Sequence, residues 1–170
     1  MAAGDAVVQV LMVIPPGANA ATLDVRAGGS TPIENVTLYD FDASSDEYMD
    51  YLCKLDGYGG NGLTFTRPYS MSSATSNSVR IELAIRRMQD DAEDIDNVHS
   101  YAYNGVTDTV PSASGELSYP TISFTDGADM DNLADGELFI LREHRDYDHA
   151  DDTASGDLEG WGPPLGLETP

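Results

Sequence analysis

At 170 residues, 41% of them hydrophobic, the chain has enough apolar material for one domain with a core and too little length for two. Its 30 acids against eight basic residues leave a net charge of −22, a field that repels nucleic acid and anionic membrane surfaces. Cys53 is the only cysteine, which excludes an internal disulfide framework, and its apolar-rich surroundings read as those of a small buried hydrophobe.

The acids are mostly Asp, and Lys54 is the only lysine. Self-repulsion on this scale is relieved when salt shortens the screening length from about 10 Å at 0.1 M to about 3 Å at 1 M, so the composition suggests a halophilic molecule. The first predicted strand covers residues 6–14. With Ala18-Asn19-Ala20 behind it, this run imitates a secretory leader, but Asp5 and the lack of any preceding Lys or Arg favour a strand. It is also too short to cross a bilayer, so no membrane insertion is expected.

Pro15-Pro16-Gly17 is a hard break. Short strands are predicted over 22–26 and 36–40, then an acid-and-serine loop over 40–47 and a strand over 48–55. The glycine-rich 56–62 is a turn connector. A strand follows over 63–69, and 79–86 alternates Val79, Ile81, Leu83 and Ile85 with Arg80, Glu82, Ala84 and Arg86, the period-two signature of a half-buried strand. Residues 89–96 read as an acidic solvated loop. Further strands are expected over 101–106, over 117–124 with Pro120 placing it at an edge or bulge, and over 137–142. Eight or nine short strands with no long helical period predict an all-β fold, an antiparallel, jelly-roll-like β-sandwich. Residues 1–157 form the sandwich domain in this reading. Residues 158–170, rich in Gly and Pro, form an extended C-terminal arm with Trp161 as its anchor and Trp161, Pro163, Pro164 and Leu165 as a partner-binding segment.

Two acidic clusters, Asp40, Asp42 and Asp46, then Asp126, Asp129 and Asp131, have spacings that could present oxygens to a hard cation, though neither matches an EF-hand loop. In a chain this acidic both read first as solvated surface. His144 and His149 flank Arg145-Asp146-Tyr147-Asp148, a pattern open to a transition metal or an acid–base pair, with an exposed polar strand end as the plainer reading. No nucleophile elbow, phosphate loop or dinucleotide fingerprint occurs, so neither enzymatic activity nor a cofactor is expected.

Several segments carry a resemblance: Leu38-Tyr39-Asp40-Phe41-Asp42-Ala43-Ser44-Ser45-Asp46-Glu47-Tyr48, Tyr58-Gly59-Gly60-Asn61-Gly62-Leu63-Thr64, Ser72-Ser73-Ala74-Thr75-Ser76, Thr121-Ile122-Ser123-Phe124-Thr125-Asp126-Gly127, and Asp151-Asp152-Thr153-Ala154-Ser155-Gly156-Asp157. Over residues 22–157 the chain resembles small β-sandwich virion structural proteins, of head-decoration and fibre type, from tailed viruses of bacteria and archaea. The resemblance implies a capsid decoration, or cement, protein of a haloarchaeal virus, assembled in the host cytoplasm and located on the capsid surface. Its implied partners are the major capsid protein and two further copies in a homotrimer, tied by the terminal segments 1–17 and 158–170. A tail, turret or fibre protein contacting the host is the alternative. From a different class comes a secreted carbohydrate-binding module or hydrolase, for which Tyr101 and Tyr103 would form an aromatic platform and His144 or His149 the catalytic group.

Overall fold

The alternation over residues 79–86 folds as a strand with Val79, Ile81, Leu83 and Ile85 buried. A computed structural model describes residues 7–169, and these form twelve strands. They are β1 (Val7–Ile14), β2 (Thr22–Ala27), β3 (Asn35–Phe41), β4 (Glu47–Asp56), β5 (Leu63–Thr66), β6 (Tyr69–Met71), β7 (Ser78–Met88), β8 (Tyr103–Thr109), β9 (Thr121–Phe124), β10 (Leu138–Arg145), β11 (Leu158–Gly160) and β12 (Leu165–Glu168). The predicted Ala6 start of the first strand and Pro170 lie outside the described residues.

The strands form an eight-stranded sheet, β8-β7-β10-β4-β1-β12-β5-β9, and a four-stranded sheet, β2-β3-β11-β6. Every pairing within them is antiparallel. The core between them takes Met49, Tyr51, Cys53, Leu83 and Leu141 from the large sheet, and Phe41, Tyr69, Met71 and Leu158 from the small one. The sequence reading of an antiparallel sandwich is therefore correct, and Cys53 is buried in it as a small hydrophobe with its thiol pushed up to about 12 by burial.

Two predicted boundaries change. The single strand expected over 63–69 is divided: β5 lies in the large sheet and β6 in the small one, with Arg67-Pro68 making the crossing. Proline cannot donate to a ladder, so Pro68 marks the point where the chain leaves one sheet for the other.

The second change concerns the ends. Residues 158–170 are not a free arm. Strand β11 sits between β3 and β6 inside the small sheet, and β12 sits between β1 and β5 inside the large one. At the other end β1 pairs with β4 over most of its length. The glycines and prolines misled here because they serve packing. The Arg67 guanidinium lies where a side chain at Gly160 would project, Phe65 and Val8 occupy the corresponding space at Gly166, and only short strands remain between the breaks. Trp161 anchors inward, donating from Nε1 to Ser70 Oγ at 2.9 Å and from its backbone N–H to the Pro68 carbonyl at 3.0 Å.

Polar groups are built into the core as well. Arg67 is fully buried, paired with Glu143 at 2.5 Å and donating to the Gly162 carbonyl, while Tyr51 donates its hydroxyl to Glu143 at 2.8 Å. Arg145, 1% exposed, holds Asp152 with two 3.0 Å bonds and also donates to the Gly156 and Ala154 carbonyls. These networks lock the segment after β10 and the segment after β11 onto the sandwich.

Candidate functional site

The outward face of the large sheet is the place where chemistry gathers. Register puts Asp50, Arg142, Ala84 and Tyr103 side by side across β4, β10, β7 and β8, and the next row holds Tyr48, His144, Glu82 and Gly105. Because strand side chains alternate, all of these point away from the core. Ala84 is nevertheless fully buried, so the outer face is itself covered at this point.

Arg142 provides the cover. Its guanidinium makes a two-pronged pair with Asp50, Nε to Oδ1 and Nη2 to Oδ2, both at 2.7 Å, and this carboxylate pushes the arginine's pKa further up. The same guanidinium lies 4.1 Å from the Tyr101 ring centroid and 5.7 Å from that of Tyr48. Tyr101 reaches it from the β7–β8 loop, which folds back because Arg86 donates to Glu93 Oε1 and to the Asp94 carbonyl.

Four rings form a continuous belt. Tyr101 and Tyr103 lie 6.1 Å apart with a 33° tilt, Tyr103 and His144 are separated by 5.4 Å, and His144 stacks on Tyr48 at 4.4 Å and 12°. Each tyrosine ring is partly exposed. Burial pushes the Tyr103 phenol up to about 12 against the opposing Arg142, and burial also raises Tyr48 and Tyr101, so all three stay protonated at neutral pH. Elsewhere Tyr51, Tyr58 and Tyr69 each give their hydroxyl to a carboxylate. The hydroxyls of Tyr48, Tyr101 and Tyr103 have no protein acceptor among the described residues. Beyond the belt, Leu52, Ile140, Met12 and Leu138 extend the same face as an apolar strip, with Met12 58% and Leu138 40% exposed.

His144 stands at the end of the belt. The expectation of an exposed polar position is corrected: β10 runs on to Arg145, and His144 is buried under Tyr48. Its Nδ1 lies 3.7 Å from Glu82 Oε2 and its Nε2 3.5 Å from Asp46 Oδ1, so neither nitrogen makes a hydrogen bond. The facing imidazole, together with Arg80, holds Glu82 below the usual carboxylate range. Burial and the neighbouring Asp148 raise Asp146. His149 does not join this group; it is partly exposed and accepts from the Asp151 backbone N–H at 3.1 Å.

The two acidic clusters, read first as solvated surface and second as cation candidates, turn their carboxylates to separate protein partners. Asp40 ends in a half-buried position, pushed up to about 6 by desolvation and by Asp157, Asp24, Glu159 and Glu47 around it. Asp42 accepts from the Ser44 backbone N–H and hydroxyl, and Asp46 turns to the Tyr147 backbone N–H and to His144. In the second cluster Asp126 accepts from Tyr58, Asp129 from Thr125 and Asn104, and Asp131 from the Arg87 backbone N–H. Pro163, Pro164 and Leu165 line an apolar cleft of about 520 Å³ with Val8 and Val10, away from the belt.

Of the belt, Tyr101, Tyr103 and His144 were legible from sequence. Tyr48, Asp50, Arg142 and Glu82 were missed. The available signal was the pairing of polar-face positions: an alanine between Glu82 and Arg86 on the solvent side of β7, too small to fill its place on a polar face.

No protein-family model and no curated protein matches the chain. Among solved structures, it is similar to a carbohydrate-binding module of family 28 specific for non-crystalline cellulose, at 14% identity and TM-score 0.50, covering 92% of this chain and 87% of that one. It is also similar to the xylan-binding CBM22-1 domain of Paenibacillus barcinonensis Xyn10C, at 9% identity and TM-score 0.48, covering 99% and 97%, and to the family 11 module of Clostridium thermocellum, at 14% identity and TM-score 0.41, covering 99% and 97%. The family 28 match places the chain in the same β-sandwich fold.

These findings correct the capsid-decoration reading, along with its tail, turret or fibre alternative. The sandwiches that the chain resembles are carbohydrate-binding modules, and within the terminal segments on which a cement role depended Val7–Ile14, Leu158–Gly160 and Leu165–Glu168 are strands inside the two sheets. The major capsid protein, the homotrimer and the capsid-surface location belonged to that reading and are not carried forward.

Proposed function

We propose that the protein is a non-catalytic carbohydrate-binding module that holds a neutral polysaccharide chain along the outer face of the eight-stranded sheet. The observation that carries the reading is the belt of Tyr101, Tyr103, His144 and Tyr48 gathered about the Arg142–Asp50 pair. A pyranose ring presents C–H bonds on its faces and hydroxyls at its rim. Partly exposed tyrosines accept the faces, while a fixed arginine–carboxylate fork and phenol hydroxyls with a proton still to donate meet the rim. The fork is held by its own pairing before any ligand arrives, so little ordering cost falls on binding.

The net charge of −22 selects among polysaccharides. Asp46, Asp50 and Glu82 lie at the belt itself, so a uronic-acid or sulfated chain would be repelled and an uncharged one would not. Likeness of fold to a cellulose-specific module supports a β-linked glucan as the first ligand to try. Affinity electrophoresis against soluble neutral glucans and xylans tests this. Retardation by at least one neutral polymer, lost in Tyr101→Ala and absent with pectate or heparin, is expected; no retardation by any neutral polymer would overturn it.

A further inference from the structure

The strand register, the loop before β4 and the turn after β10 bring together a second kind of site. One nitrogen of His144 and one carboxylate oxygen each from Asp46 and Asp146 all lie within 4.8 Å of one another. Asp46 comes from the loop before β4, His144 from β10, and Asp146 from the turn directly after it. The nitrogen nearest Asp46 is Nε2, at 3.5 Å. Metal–ligand distances of about 2.0–2.2 Å place the donors of one ion roughly 3–4.5 Å apart, a range that includes the 3.5 Å between Asp46 and His144.

His144 supplies an observation independent of the acids. It is only 6% exposed, and both ring nitrogens lack a hydrogen-bond partner although each faces a carboxylate. A buried polar atom without a partner costs free energy unless something else satisfies it. The far nitrogen, Nδ1, is turned to Glu82 at 3.7 Å, and Glu82 is fixed by Arg80 Nε at 2.9 Å. A carboxylate behind the imidazole, oriented by its own partner, is the arrangement that fixes the tautomer of a metal-ligating histidine and raises its basicity. Among the described residues neither Asp46 nor Asp146 has an Arg or Lys partner, whereas Asp50 and Glu82 do.

We infer that Asp46, His144 and Asp146 form a site for a divalent first-row transition metal, with Glu82 positioning the imidazole. One imidazole with two carboxylates favours Zn²⁺ or Mn²⁺ over Ca²⁺ and Mg²⁺, which take oxygen ligands. Occupancy would clamp the loop before β4 to the turn after β10, at the Tyr48 end of the aromatic belt. The site does not depend on the belt holding a glycan.

The test is calorimetric titration of the full chain, stripped with chelator, with ZnCl₂, alongside imidazole NMR. One equivalent should bind. Asp46→Asn and Asp146→Asn, checked as folded by circular dichroism, should each weaken it at least tenfold. Glu82→Gln should weaken it by about 10- to 100-fold, and Asp90→Asn, in the exposed β7–β8 loop, should leave it unchanged. Of the three histidine rings, only His144 should shift. Absence of one saturable equivalent, indifference to both Asp46→Asn and Asp146→Asn, or a shift at His149 in place of His144 would overturn the assignment. Glycan retardation measured without metal reports on the proposed function separately.

Discussion

Strand β10 carries two polar clusters on opposite faces, and their fates differ. Inward, Glu143 and Arg145 meet Arg67, Tyr51 and Asp152 in a closed interior. Outward, Arg142 and His144 meet Asp50, Glu82 and the tyrosine belt, where Arg142, Glu82 and the tyrosines remain partly open to solvent. The residue types are nearly the same on both sides. What separates a structural network from a binding surface is whether the groups are shut away from water with their partners already inside.

That contrast predicts a large loss of stability for an inward change. Glu143→Ala leaves Arg67 buried and unpaired, which should cost about 3–5 kcal/mol in urea unfolding. A cost below about 1 kcal/mol would show that the inner network is not the closed structure described. The outward change should divide the other way. Tyr101→Ala should lower glycan affinity about 30-fold, or about 2 kcal/mol, while shifting unfolding by no more than about 1 kcal/mol. Equal effects on stability and binding would erase the distinction between the two faces.

A smaller effect is expected from Asp40, on the inner strand β3 of the small sheet. Its folded-state pKa is raised from 3.8 to about 6, chiefly by desolvation. A raised carboxyl binds its proton more tightly in the folded state, so its contribution is favourable below pH 3.8 and is lost as pH rises through about 6. Asp40→Asn should therefore stabilise the protein at pH 7.5 and flatten the decline in stability between pH 4 and pH 7, by about 1 kcal/mol once solvent screening is allowed for. An unchanged pH profile would contradict it. The most diffuse effect is that of salt. With a net charge of −22, thermal unfolding should move upward between 0.1 M and 2 M KCl, and a flat response would remove the halophilic expectation.

Much of the fold was legible because period-two alternation is written directly into β5 and β7. The chain end was not, because Gly160 and Gly166 owe their identity to Arg67 and to Phe65 and Val8, which are distant in sequence. The site was legible only in part for the same reason. Tyr101 and Tyr103 announce themselves as neighbours, but Arg142 becomes informative only once register sets it against Asp50 and beneath Tyr101. Asp46 was noticed as one of three acids in a row, yet the fold gives it to His144, nearly a hundred positions later, in place of Asp40 and Asp42.

The central claim is that the tyrosine belt on the large sheet binds an uncharged glycan. Isothermal titration of the intact protein and of Tyr48→Ala and Tyr101→Ala with soluble β-glucan oligosaccharides tests it most directly. Saturable binding by the intact chain, weakened in both folded variants, is the predicted result. Binding unaffected by either change, or none to any neutral oligosaccharide, would contradict it.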